Sequence, residues 1–216
     1  MFVGKRMVKD LVVLRRDQSL MDASGLIKKH DIRHLPVVDE NNHLVGIVTD
    51  RDVRKASASD ATSLDIHELL YLLGKIQVEE IMTKNVVSVP PSMPLEQAAK
   101  VMHDRKFGGL PVVEDGKLVG IITTGDILKF LMEAMDVDSS CTRVELELED
   151  KPGQLVKVLQ AISSNEYQIH SVITSPEKTG GNKIVTLHLT CDDEKRLRTS
   201  LEAQFKVISF LHQEPM

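Results

Sequence analysis

The sequence predicts an α+β protein: two pseudo-symmetric β-α-β-β-α repeats in tandem, followed by a β-α-β-β-α-β unit. Residues 35–52 (LPVVDENNHLVGIVTDRD) and 110–126 (LPVVEDGKLVGIITTGD) are near copies. Setting 7–38 against 82–113 and 44–55 against 118–129 gives 16 identities in 44 positions, which marks an internal duplication. After Met135 the repeat pattern stops, and a different alternation of apolar and charged residues begins near Thr142. Two copies of one unit tend to pack face to face, and the clefts between such copies are where ligands bind.

Each repeat opens with a short β-like run, Leu11–Leu14 or Val86–Val89. Leu20–His30 and Leu95–Arg105 then place apolar residues at helical spacing, and Pro94 suits a first-turn position where its missing N–H is not needed. Val- and Ile-rich strands follow at 35–38 and 44–49, and at 110–113 and 118–123, joined by the polar turns DENNH and EDGK. A second helix begins near residue 51 and near residue 125. Between the copies, ASASDATS reads as a loop, and Ser63–Glu68 followed by LLYLL reads as a capped, strongly apolar helix that packs as a strut or lid. These elements place the first repeat at 7–58, a linker helix at 59–78 and the second repeat at 79–135.

In the last part, Thr142–Glu149 alternates with Val144, Leu146 and Leu148 on one face, the pattern of a half-buried strand. Asp150-Lys-Pro-Gly-Gln-Leu155 leads into a helix of about Leu155–Ser164. Strands near 168–174 and 182–190, a helix near 193–204 and the strand Val207–Leu211 complete the unit over 142–213, after a linker at 136–141.

Composition removes several function classes. The chain carries 27 Lys+Arg against 32 Asp+Glu, with 18 against 19 in 1–135 and 9 against 13 in 136–216. Neither part has the basic excess of a nucleic-acid binder. Five Phe, two Tyr and no Trp leave little with which to stack single-stranded bases. No run approaches the ~18 apolar residues of a membrane span, and MFVGKRM is too short and too charged for a signal peptide. Cys141 and Cys191, without CxxC spacing, fit a reducing cytoplasm better than a disulfide framework or a zinc site. The sequence holds no Ser/His/Asp set, HExxH, P-loop or GxGxxG, and no His spacing suited to a metal; His30 and His34 are four apart, but the first helix ends between them. The expectation is a cytoplasmic protein that is not an enzyme and has no membrane or nucleic-acid partner.

Both repeats end in Thr-x-x-Asp before a helix: Thr49-Asp-Arg-Asp52 and Thr123-Thr-Gly-Asp126. One reading is a capping box, in which hydroxyl and carboxylate satisfy orphan N–H groups. The other points a helix start at the inter-repeat cleft, where the carboxylate accepts hydrogen bonds from ribose hydroxyls and nearby cations favour phosphate. The doubled h-P-V-V-D/E…L-V-G-I-[VI]-T-x-x-D pattern resembles a tandem pair of CBS domains (a Bateman module) over about 7–131. That resemblance implies an adenosine-containing regulatory ligand, AMP, ADP or ATP foremost, with NAD and S-adenosylmethionine also known in the family, and no catalytic cofactor. By the resemblance, Asp52 and Asp126 match the ribose-binding aspartates and Thr49 and Thr123 the hydroxyl residues before them. The pairs ahead of Leu-Pro, Arg33-His34 and Gly108-Gly109, match residues of the base pocket. The first helix start carries Arg51 and Arg54 where the second has Gly125 and Leu128, although Arg105 and Lys106 partly compensate. Two unequal sites are therefore expected, the more phosphate-friendly one using first-copy cations.

The C-terminal unit resembles an ACT domain, a ferredoxin-like fold, and 150–155 fits that family's D-x-P-G-x-L turn. The resemblance implies a homodimer and a candidate amino-acid site at Asp150, Gly153, Gln154 and Leu155, facing the strand Ile169-His170-Ser171-Val172 of a second copy. Gly153 is expected to allow a close chain approach; in the plainer reading Asp150 and Pro152 only cap and start the helix. A CBS pair followed by one ACT domain resembles the acetoin-utilisation (AcuB-like) regulators, which implies a stand-alone sensor acting on an unidentified target protein. The competing reading is an unliganded dimeric scaffold that docks on a target enzyme.

Overall fold

Local capping starts the first helix. In the computed structural model, described over residues 1–59, 71, 73–137, 139–163, 167–177 and 181–213, the Ser19 hydroxyl accepts from the Asp22 amide at 3.1 Å, and the Asp22 carboxylate accepts from the Ser19 amide at 2.9 Å. This capping box opens α1 (Leu20–His30), and Asp31 closes it in the left-handed conformation at φ 49°. An antiparallel hairpin of β1 (His34–Val38) and β2 (Leu44–Thr49) follows, then α2 (Asp50–Ser59). The second repeat consists of a short α3 (Val78–Ile81), α4 (Leu95–Arg105), the hairpin β3 (Gly109–Glu114) and β4 (Lys117–Thr123), and α5 (Thr124–Ala134). Asp115 and Gly116, both at positive φ, make its tight turn.

Three details differ from the sequence reading. Pro94 is the N-cap of α4, at φ −57° and ψ 138°, one position before the first helical residue. The β-like runs supply one parallel bridge each, Leu14 to Val37 and Val89 to Val112, because each chain turns away after Leu14 or Val89 instead of continuing along the hairpin. The apolar linker helix falls mostly outside the described residues, within which Tyr71 and residues 73–75 are helical.

The chain divides into a unit of residues 1–127 and a unit of residues 128–216. Within the first, Leu14, Leu20, Ala23, Leu35, Val37 and Val48 bury the core of repeat one, and Val89, Leu95, Ala98, Leu110, Val112 and Ile122 occupy the matching buried positions in repeat two. The two repeats exchange their leading segments. Val8, ahead of repeat one, bridges Ile121 of repeat two, and Thr83, ahead of repeat two, bridges Ile47 of repeat one. Both bridges are doubly hydrogen-bonded, at 2.9 and 3.0 Å for Val8–Ile121 and at 3.1 and 2.9 Å for Ile47–Thr83. Met7 and Met82 ride on these segments and lie over Gly120 and Gly46 of the opposite repeat.

The second unit is a four-stranded antiparallel sheet in the order β6-β7-β5-β8, built from β5 (Cys141–Glu149), β6 (Gln168–Pro176), β7 (Asn182–Thr190) and β8 (Lys206–Gln213). Its helices, α6 (Gln154–Ser163) and α7 (Glu194–Glu202), place Val158, Ile162, Leu197 and Leu201 against Val144, Leu146, Val185, Leu187 and Leu189 of the sheet. Residues of opposite parity carry polar groups: Ser171 and His188 are hydrogen-bonded at 2.7 Å, and Arg143 pairs with Glu145 at 2.5 Å. Cys141 and Cys191 are free thiols.

Candidate functional site

Both Thr-x-x-Asp turns form the same closed network. Asp52 Oδ2 accepts from the Thr49 amide at 2.9 Å and from its hydroxyl at 2.7 Å, while the Asp52 amide donates to Thr49 Oγ1 at 3.3 Å. In the second copy the corresponding distances are 2.8, 2.6 and 3.3 Å. The capping reading is thus realised twice. It uses only one oxygen of each carboxylate; Oδ1 of Asp52 and of Asp126 takes no hydrogen bond from the described residues. Both aspartates are half-buried, so each presents one unfilled acceptor beside a helix start.

The residue two before each Leu-Pro is tied to the same turn. The Asp50 amide donates to the Arg33 carbonyl at 3.1 Å, and the Thr124 amide donates to the Gly108 carbonyl at 3.0 Å. His34 pairs with Thr49 across the first hairpin, and Gly109 pairs with Thr123 across the second. The fold therefore gathers Arg33, His34, Thr49, Arg51 and Asp52 around one turn, and Gly108, Gly109, Thr123 and Asp126 around the other. Arg54 contributes no free charge, because its guanidinium is 2.5 Å from the Asp50 carboxylate. Arg33 and Arg51 are exposed and their guanidinium groups have no partner among the described residues. Asp50, whose amide links Arg33 to the turn and whose carboxylate holds Arg54, is the member that sequence reasoning missed. Its place as the first helical residue, with Arg four positions on, is the signal that could have found it.

His34 joins the two groups. A β-carbon added to Gly108 would sit 2.9 Å from His34 Nε2 and 3.0 Å from Cε1, and one added to Gly109 would sit 3.4 Å from Cγ and Nδ1. The imidazole thus lies along the Gly108–Gly109 backbone of the other repeat. Burial pushes its pKa down, with Arg33 adding to that and Asp50 opposing it.

In the second unit the Asp150 carboxylate is 2.6 Å from Lys183 of β7, so it braces the loop against the sheet instead of capping α6. Gly153 has φ +84°, and a β-carbon there would meet nothing within 4 Å. Its glycine is required by the left-handed conformation, not by close approach. Leu155 packs on the core, while Gln154 lines an open concavity of about 480 Å³ with Lys157, Gln160, Ala161, Gln204 and Phe205. A second concavity, of about 300 Å³, lies among Phe2, Gly4, Lys5, Lys9, Pro91 and Ser92. Neither is lined by a Thr-x-x-Asp turn. Among the described residues no group of His, Cys, Asp and Glu could hold a metal, and no helix is long and apolar enough to cross a membrane.

The doubled geometry has counterparts in known proteins. A CBS domain-containing protein of Dictyostelium discoideum is 35% identical over 135 residues, 62% of this chain and 93% of that protein. Matches to longer, enzyme-named relatives are partial: the chain spans 22–24% of their length. Among solved structures, a Vibrio cholerae protein assigned to acetoin utilization (AcuB) is 34% identical, with a TM-score of 0.55 over 63% of this chain and 94% of that one. CBSX2 of Arabidopsis thaliana, solved in complex with AMP, is 33% identical, with a TM-score of 0.52 over 61% of this chain and 96% of that one. These likenesses fall on the duplicated half. The CBS domain family model matches residues 3–59 and again 78–133, each match containing one Thr-x-x-Asp turn, and the chain belongs to the CBS domain family.

Proposed function

We propose that the protein is a non-enzymatic regulator that binds an adenine nucleotide, of the AMP, ADP or ATP class, at the Thr-x-x-Asp turns between its CBS repeats. The observation that carries this is the unfilled Oδ1 of Asp52 and of Asp126, each held by an intact cap beside a helix start. That oxygen can accept a ribose hydroxyl without breaking the cap, and the related CBSX2 pair binds AMP. The second unit has the strand order and Asp150–Leu155 loop expected of an ACT domain, and serves as a dimerisation module with a candidate amino-acid site at Asp150, Gly153, Gln154 and Leu155. Its target is an unidentified protein, and likeness to the Vibrio protein makes acetoin utilization the first pathway to examine. Signalling requires the nucleotide to bind two conformations with different affinity, not merely to bind tightly.

A thermal-shift panel of AMP, ADP, ATP, NAD and S-adenosylmethionine tests the reading. A ligand at a hundred times its Kd should stabilise the fold by about 2.7 kcal/mol. The ligand-induced shift should shrink in Asp52→Ala or Asp126→Ala, measured against each variant's own unliganded melt so that loss of the cap is not counted. No shift with any compound removes nucleotide sensing.

A further inference from the structure

The two turns differ in a way that assigns them different ligands, given the nucleotide-binding reading above on which this rests. Arg33 and Arg51 flank the Thr49–Asp52 turn, one through its carbonyl bond to the Asp50 amide and the other from within the turn. Both guanidinium groups are exposed and unpaired among the described residues. The matching positions at Thr123–Asp126 are Gly108 and Gly125, neither of which can offer charge. In place of side chains from its own repeat, this second turn has the His34 ring laid along Gly108–Gly109. With the ring in that place, a side chain at 108 would have to push His34 aside, so the glycine is what lets the ring lie there. Burial lowers the pKa of the ring and so favours its uncharged form. Lys129, three residues after Asp126, has its counterpart in Lys55 beyond Asp52 and so does not distinguish the turns. The cations particular to the second flank are Arg105 and Lys106, just ahead of Gly108, and both are exposed.

We infer that the Thr49–Asp52 turn takes an adenosine nucleotide with its phosphate, and that the Thr123–Asp126 turn takes an adenosine compound without an anionic 5′ group, with His34 of the other repeat as its wall. A phosphate is then recognised by two charge-assisted contacts in one place, and in the other finds glycines and a ring whose uncharged form is favoured. His34 pairs with Thr49 at the first turn and lies against the glycines of the second, so occupancy of either turn can be felt at the other through it.

Titration calorimetry of the full chain, with AMP and then with adenosine in the presence of saturating AMP, tests the division. The wild type should take one AMP and one adenosine per chain together. AMP affinity should fall tenfold or more in Asp52→Ala and in Arg33→Ala/Arg51→Ala, and should hold in Arg105→Ala/Lys106→Ala. Adenosine binding should disappear in Asp126→Ala and weaken severalfold in His34→Ala and in Gly108→Ala, whose methyl displaces the flexible ring without disturbing backbone. Because both act on one ring, Gly108→Ala should add nothing in the His34→Ala background. Displacement of adenosine by AMP, equal effects of the two aspartates on both compounds, AMP dependence on Arg105 and Lys106, or additive losses at 34 and 108 would overturn the division while leaving nucleotide binding intact. Binding of neither compound to the wild type would remove the nucleotide reading itself.

Discussion

Adding one methyl group at Gly46 should unseat Met82 and loosen the joint between repeats. The new β-carbon would lie 3.0 Å from Met82 Cγ and 3.3 Å from its Cβ, with Sδ closer still. The Sδ and Cγ contacts require the Met82 side chain to leave its place, whereas the 3.3 Å contact to Cβ asks only for a shift of a few tenths of an ångström, and moving the methionine strains the adjoining Thr83–Ile47 bridge. Overpacking of this kind costs about 1–3 kcal/mol, and the two bridge hydrogen bonds, at 3.1 and 2.9 Å, contribute about 1 kcal/mol each, so about 2 kcal/mol is expected. Gly120→Ala should cost a similar amount, since its methyl would meet Met7 Cγ at 2.8 Å and the Val8 carbonyl at 3.1 Å. Urea denaturation at constant m-value reads the loss. The decisive measurement is the double-mutant cycle. Met82, 7% exposed, should cost about 2–3 kcal/mol when truncated to Ala. If the two residues share one seat, Gly46→Ala/Met82→Ala should cost no more than Met82→Ala alone, a coupling of about 2 kcal/mol. Additivity within about 0.5 kcal/mol would refute the packing argument.

The caps and the two histidines give further outcomes. Thr49→Val and Thr123→Val each delete the hydroxyl that serves both partners of a capping box, so each should lower unliganded stability by about 1 kcal/mol, read in thermal melts. Burial lowers the pKa of both His34 and His188 from the usual 6.5. In the window between each folded pKa and 6.5 the unfolded chain binds a proton that the native state does not, so stability rises with pH. That contribution is complete above about 6.5 and is lost as pH falls below it. His34→Gln and His188→Gln should therefore each flatten the pH dependence of stability just below 6.5, measured by denaturation across a pH series; an unchanged slope would contradict the assignment.

Much of the fold was legible because its signals are local. The 3.6-residue period fixed Leu20–His30 and Leu95–Arg105, and the strand alternation at Thr142–Glu149 marked the start of a second core. The Asp115-Gly116 turn required positive φ, which its residue types supply. Pairing across the duplication was less legible. The alignment of the repeats pairs Met7 with Met82 and Gly46 with Gly120, but nothing local says that each methionine rests on the glycine of the opposite repeat. The strand expectation at Leu11–Leu14 and Val86–Val89 failed for the same reason, since β-propensity does not say how far a neighbour runs alongside. For the candidate site, the Thr-x-x-Asp pairs could be named, whereas the neutralisation of Arg54 by Asp50 and the reach of His34 to Gly108 depend on how side chains meet in space.

The sequence by itself determined that there are two like units and one unlike, that Thr49, Asp52, Thr123 and Asp126 are equivalent in pairs, and that the flanks of those pairs differ. These follow from composition along a line, where a period or an identity is visible without knowing what touches what. The tertiary structure decided that the leading segments are exchanged, that each cap leaves one carboxylate oxygen unfilled, and that one histidine lies along the glycines of the other repeat. The physical reason is that close packing is a property of pairs. A glycine is informative only beside the atom that occupies its missing side chain's place, and residues 34 and 108 become neighbours only when the chain has folded.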